Sequence, residues 1–214
     1  SVEVLHQILE DSELAELWRE TGAVAWRREV SRLQHLAINH TKVTGRGLRY
    51  LSKMGAMRSL NLAYTGVDSG GLKHLRHMTN LRSLDLTATQ VSNAGLKHIA
   101  ALEQLVNLSL PQGNITDIGL KSIATLRNIE KLNLRGTRIR GAGLAHLSDC
   151  KSLSSLDLSE SRFEDAGMQQ LGRFPKLRGL SLGKTRVSDH GFSDQPRFDC
   201  LKKIDLSNTV ISDM

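Results

Sequence analysis

The chain has 214 residues, of which 39% are hydrophobic and only 4% aromatic, so its core must be built from Leu, Ile, Val and Ala. A formal charge of +7 favours acidic partners, and two cysteines are too few for a disulfide framework. No apolar run reaches the roughly 18 residues of a membrane-spanning helix.

Residues 1 to 32 come first and carry no repeat. The stretches "VEVLHQIL", "SELAELWRE" and "AVAWRREVSRL" predict two or three short amphipathic helices, with Ser12 as a cap and Thr21-Gly22 as a stop. They are expected to form a helical N-terminal cap in which Trp18 and Trp26 cover the open edge of the first repeated unit. This segment holds seven acids against four bases, so the remainder of the chain carries +10. Its opening lacks the basic start and apolar run of a secretion signal, and with so few cysteines the chain reads as cytoplasmic.

From residue 33 to residue 214 a 24-residue period runs without insertion. Leu36, Leu60, Leu84, Leu108, Leu132, Leu156, Leu180 and Ile204 recur on it, each with an apolar partner two residues later (Ile38, Leu62, Leu86 and so on). Alternation at a period of two predicts a short strand with its leucines facing inward. Val43 and its equivalents come next, then "GLKHL"-type segments whose apolar spacing predicts a short helix with one buried face. Thr44, Ser92, Thr116 and Ser188 are placed to cap those helices, and Asp117, Asp165 and Asp189 to favour their positive ends. Glycines at 47, 71, 95, 119, 143, 167 and 191 are expected to let helix pack closely on strand.

One such unit cannot bury its own apolar face, whereas about eight stacked units can. The fold class is therefore α/β, a horseshoe-shaped solenoid with parallel inner strands and outer helices, the last unit incomplete. Gln195-Pro196 breaks the seventh helix and the eighth unit stops at "VISDM", which suggests a recognition domain excised from something longer. An uncapped final repeat leaves end-to-end dimerisation open beside a monomer.

These residues resemble the leucine-rich repeat family, L-x-x-L-x-L-x-x-N-x-L, over about residues 33 to 214. The T-x-V-x-x-x-G-L variant is similar to repeats of bacterial proteins and of ribonuclease-inhibitor-like and F-box-associated members. The usual Asn, which ties adjacent turns together, is replaced by Thr41, Thr65, Thr89, Gly113, Thr137, Ser161, Thr185 and Thr209. Their hydroxyls are expected to form a thinner version of that ladder, weakest at Gly113.

The same pattern bears on chemistry. Asp85 and Asp157 stand three repeats apart, roughly 14 Å, too far to act as a carboxylate pair on one bond. No serine or cysteine shares a recognised order with a histidine, so no catalytic residues are assigned. His74 and His77 share a helix face but are crowded by Lys73, Arg76 and Lys97, so neither a metal nor another cofactor is assigned. Cys150 and Cys200 read as buried thiols.

The inner face carries the candidate site. The position after each Thr reads Lys42, Gly66, Gln90, Asn114, Arg138, Arg162, Arg186, Val210, which sets three arginines on adjacent strands. Arg135 and Lys184 extend that patch and Glu160 offsets it, while upstream the face is neutral (Asn61, Ala63, Thr87, Ala88, Gln90) around its one aromatic, Tyr64. The expectation is a non-catalytic protein-recognition module whose partner, acidic or mixed in charge, meets Tyr64, Asp85, Arg135, Arg138, Asp157, Arg162, Lys184 and Arg186. The resemblance implies a protein partner and, in some members, selection of substrates within ubiquitin ligases or bacterial effectors, which adds delivery into a host cell as a second location. The alternative is a polyanion, nucleic acid or acidic lipid, held by the arginine row. One aromatic supplies little stacking for single strands, which counts against nucleic acid.

Overall fold

In a computed structural model of the chain, the described residues are 32–110, 112–193 and 198–212. The helical cap expected before the repeats lies outside them. One parallel sheet of eight strands runs in sequence order: β1 (His35–Ala37), β2 (Ser59–Asn61), β3 (Ser83–Asp85), β4 (Asn107–Ser109), β5 (Lys131–Asn133), β6 (Ser155–Asp157), β7 (Gly179–Ser181) and β8 (Lys203–Asp205). Each residue pairs with the one 24 positions on, as Leu36 with Leu60 and Leu60 with Leu84. The ladder outruns the three-residue strands at both ends. Gln34 O accepts the N–H groups of Arg58 and Ser59 at 2.7 and 2.9 Å, and His40 N–H donates to Ala63 O at 2.9 Å. The leucines of both strand columns, the Val43 column and the outer leucines form one continuous core.

The outer side departs from regular helices. It consists of 3₁₀ turns such as Gly47–Leu51, Gly71–Leu75 and Ala142–Leu147, and of four-residue α-helical turns such as Asn93–Leu96 and Asp117–Leu120. A helix about 10 Å across cannot stack at the strand step of about 4.8 Å without wedging the repeats apart, and slim single turns reduce that mismatch. Ser92 and Thr116 make no capping hydrogen bond at these turns. Ser188 Oγ does accept the His190 N–H, at 3.3 Å.

Polar residues at the start of these turns, the expected Asp117, Asp165 and Asp189 among them, join one repeat to the next instead. Ser69 Oγ accepts the Ser92 N–H at 3.0 Å and Asn93 Oδ1 accepts the Thr116 N–H at 3.0 Å. Asp117 accepts three backbone N–H groups of the following repeat, from Arg140, Gly141 and Gly143, at 2.8, 3.0 and 2.7 Å. Asp165 takes both the N–H and the hydroxyl of Ser188, and Asp189 does the same for Ser212. This column, not the threonines, is the ladder between turns. Thr65, Thr89, Thr137 and Thr185 are buried, and each hydroxyl donates to the carbonyl three residues earlier in its own repeat, at 2.6 or 2.7 Å. They close the turn after the strand, a job that any hydroxyl of the right length performs.

The glycines serve the same junction. A Cβ on Gly143 would lie 2.5 Å from Asp117 O and one on Gly71 would lie 2.3 Å from Gly45 Cα, so it is the preceding repeat that needs the space. The column holds no side chain at Gly45 and again at Gly141, where a Cβ would meet Gly167 Cα at 2.4 Å and Phe163 Cε2 at 2.8 Å. Phe163 is fully buried in a column otherwise filled by Val and Ile. Its ring takes the volume that a ladder side chain would need. An Arg140–Glu164 ion pair at 3.1 Å spans that junction in compensation.

The two cysteines divide. Cys150 is buried, and burial pushes its thiol up to about 11, whereas Cys200 is exposed, contrary to expectation. Cys200 leads into β8, whose Ile204 is itself 38% exposed because no described strand stacks on it.

Candidate functional site

The inner face is built from strand residues that point away from the leucines and from the turn after each strand. At its first level the side chains serve the backbone. Asp85 Oδ1 accepts the N–H and the hydroxyl of Thr87 at 2.9 and 2.6 Å, and Asp157 Oδ1 accepts the Ser159 N–H at 2.9 Å and its hydroxyl. Asn61, Asn133 and Asp205 hold the same turn in their repeats. The structure thus gives Asp85 and Asp157 a local role, terminating the strand with an Asx-type turn.

Three residues on from those sits a column of left-handed backbone: His40, Tyr64, Ala88, Gly136, Glu160, Lys184 and Asn208 all have φ between 51° and 68°. L side chains pay a steric penalty there, least at Gly136 and Asn208 and less at His40 than at the other four. The tight turn reverses the chain off the sheet edge and thereby displays these side chains side by side. His40 and Tyr64 stack with ring centroids 4.4 Å apart and planes 10° apart, and Tyr64 remains 53% exposed. The sequence pattern does not single out His40, although its place one period before Tyr64 is a usable signal. Ala63, expected on this face, is buried.

The cations fall into two groups. Glu160 accepts from Arg135 and from Lys184, each at 3.0 Å, so one carboxylate ties both together. Those hydrogen bonds, Arg135's first and Lys184's second, hold Glu160 below the usual glutamate range and raise Arg135 in return. Arg138, Arg162 and Arg186 are exposed, and none has a side-chain hydrogen bond or an ion pair among the described residues. They stand one strand step apart, about 4.8 Å, five residues past β5, β6 and β7.

The histidines on the outer side offer less. Arg76 Nε donates to His77 Nε2 at 2.9 Å. His74 and His98 are lowered by partial burial first and by the neighbouring Lys and Arg second. Among the described residues no three His, Cys, Asp or Glu side chains gather as a metal cluster would require, and no helix is long and apolar enough to cross a membrane.

A repeat of constant length stacks a leucine-lined parallel sheet, and hydroxyls close its turns. The family model for a leucine-rich repeat region matches residues 28–214. The chain belongs to the leucine-rich repeat family. A search of curated proteins finds no matching relative. Among solved structures, this leucine-rich repeat chain is similar to internalin C2 of Listeria monocytogenes, at 21% identity over 95% of this chain and 96% of that one, with a TM-score of 0.64. It is also similar to internalin F of the same organism, at 18% identity over 98% and 79% of the two chains, with a TM-score of 0.48. The first likeness confirms the solenoid fold. Leucine-rich repeats are in general protein-recognition modules, which is the coarse function the family membership supplies.

Proposed function

We propose that this leucine-rich repeat domain is a non-catalytic module that recognises a protein of acidic or mixed surface charge through its inner face. The observation that carries this reading is the row Arg138, Arg162 and Arg186: three exposed guanidinium groups in adjacent repeats, with no carboxylate among the described residues paired to any of them. Like charges one strand step apart repel, and the two glutamates that flank Arg162 in sequence are engaged elsewhere, Glu160 by Arg135 and Lys184, and Glu164 by Arg140. An acidic partner would supply the missing charge, with guanidinium forks well suited to carboxylates. Arg135 and Lys184 add a second, partly neutralised tier. Tyr64, preorganised on His40, is the aromatic anchor at the far end. Asp85 and Asp157 contribute by shaping the turns that display Ala88 and Glu160 between these residues.

Within a longer chain such a rigid face would select substrates for a neighbouring domain, in the manner of a ubiquitin ligase or an effector. Two unpaired cysteines, one of them exposed, suit a reducing, intracellular setting. The test is capture of partners from nuclease-treated lysate by the wild type and by Arg138→Glu, Arg162→Glu, Arg186→Glu, with circular dichroism to confirm folding. A protein retained by the wild type and lost by the variant supports the reading. Equal capture by both removes the arginine row from it, and capture that vanishes with nuclease favours a polyanion.

A further inference from the structure

A second concentration of unanswered cations lies at the opposite edge of the sheet, where the chain enters its strands. There a cavity of about 250 Å³ is lined by Gln34, Ala56, Arg58, Asn80, Arg82 and Gln104. The lining comes from two columns of the repeat: Gln34, Arg58 and Arg82 share one register position, and Ala56, Asn80 and Gln104 share the other. Ala56 stands where the next two repeats carry amides, and its short side chain leaves the notch open. Asn80 forms a fixed wall, because its Nδ2 donates to Gly55 O of the preceding repeat at 2.8 Å.

The arginines are anchored at their roots. Arg58 N–H donates to Gln34 O at 2.7 Å and Arg82 N–H donates to Arg58 O at 2.8 Å, which holds the two backbones one strand step apart, about 4.8 Å. Neither guanidinium has a hydrogen bond or ion pair among the described residues, and no carboxylate lines the cavity. Two arginines lining one concavity, beside the neutral amides of Gln34 and Gln104, give a set with an excess of donors and of positive charge.

We propose that this notch binds a phosphate-sized dianion between Arg58 and Arg82. A dianion suits it better than a single carboxylate because its tetrahedral oxygens can meet both forks at once and answer both charges. The site is separate from the arginine row. Arg58 and Arg82 precede β2 and β3, whereas Arg138, Arg162 and Arg186 come after β5, β6 and β7. The two sources of such an anion are free phosphate and the phosphoryl group of a monoester.

The experiment is an NMR titration of the full chain at pH 7.5, following the arginine Nε–H signals as inorganic phosphate or O-phosphoserine is added at constant ionic strength. Saturable shifts of two arginines, with a Kd on the order of 1 mM, are expected. Arg82→Gln should weaken binding about tenfold and Arg58→Gln, Arg82→Gln should abolish it, with dispersed backbone spectra confirming that both fold. The Arg138→Glu, Arg162→Glu, Arg186→Glu variant should bind phosphate as the wild type does, which keeps this site's failure distinct from that of the recognition face. Tighter binding of phosphoserine would assign the site to a monoester, and equal binding to the free anion. Shifts that never saturate, that chloride reproduces at matched ionic strength, or that persist in the double variant would overturn the proposal.

Discussion

The column Ser69, Asn93, Asp117, Asp165, Asp189 and the column Arg138, Arg162, Arg186 recur with the same 24-residue period. In the first, every side chain accepts a hydrogen bond from the backbone of the next repeat. In the second, no guanidinium touches a partner among the described residues. Periodicity alone therefore does not separate a structural residue from a functional one. The distinction is whether the solenoid itself consumes the side chain's hydrogen-bonding capacity. A repeat protein must satisfy its junctions in every unit, so polar residues left over after that accounting are the ones available to a partner.

The harshest way to break the comparison is to attack a junction sterically. Gly143→Ala places a Cβ 2.5 Å from Asp117 O and 2.6 Å from Asp117 Cα, both backbone atoms that a rotamer change cannot move. The expected loss is at least about 3 kcal/mol, the upper range for overpacking, read as a lowered urea midpoint. A loss below about 1 kcal/mol would show that the repeats can slide apart freely. Next comes the acceptor itself. Asp117→Ala strips acceptors from Arg140, Gly141 and Gly143, at a cost of about 2 kcal/mol. Asp117→Asn should recover about half of that, since the oxygen serving both glycines is retained. If Asn and Ala were equally damaging, charge rather than hydrogen bonding would be holding this junction.

The same distinction decides how much of the molecule is legible in its sequence. Leucine spacing reports burial directly, so the sheet, its register and the inner face can be read from residues such as Leu60 and Leu84. The direction of a hydroxyl or a carboxylate is a matter of turn geometry that spacing does not encode. Thr89 is therefore expected to bond across repeats and instead bonds back to Leu86 O, whereas Asp117 is expected to serve its own turn and instead serves the next. The left-handed column is equally hidden, because Tyr64, Ala88, Glu160 and Lys184 are not residues that advertise a positive φ. Phe163 is a readable signal, since one bulky residue in a Val and Ile column implies space released elsewhere, here by Gly141 and Gly167. The arginine row is visible as a pattern. Its lack of partners among the described residues is not, because only the folded arrangement shows which acids are already engaged.

The idle column should be silent in a stability measurement. Arg138→Glu, Arg162→Glu, Arg186→Glu is expected to change unfolding stability by about 0.5 kcal/mol or less, as for surface positions without structural bonds. A larger loss in urea unfolding would mean that these arginines hold the fold together and are not held in reserve for a partner.

The finest test lies between the columns, at Glu160, which is engaged like the first and displayed like the second. Its carboxylate accepts from Arg135 and Lys184, and those bonds depress it below the ordinary 4.5 of a glutamate. A depressed carboxylate contributes stability that is present above its unfolded value and is lost as pH falls through its folded one. Glu160→Gln should therefore unfold slightly more easily than the wild type at pH 7, and the gap between their urea midpoints should close as pH drops below that ordinary value. The effect is small because the whole network is open to solvent and screened by salt. Binding should move the other way. The substitution frees Arg135 and Lys184 and removes one negative charge beside the arginine row, so affinity for an acidic partner should rise at pH 7, and more so at low salt. Weaker binding instead would make Glu160 a contact in its own right and shift the partner's complementary patch from acidic to mixed.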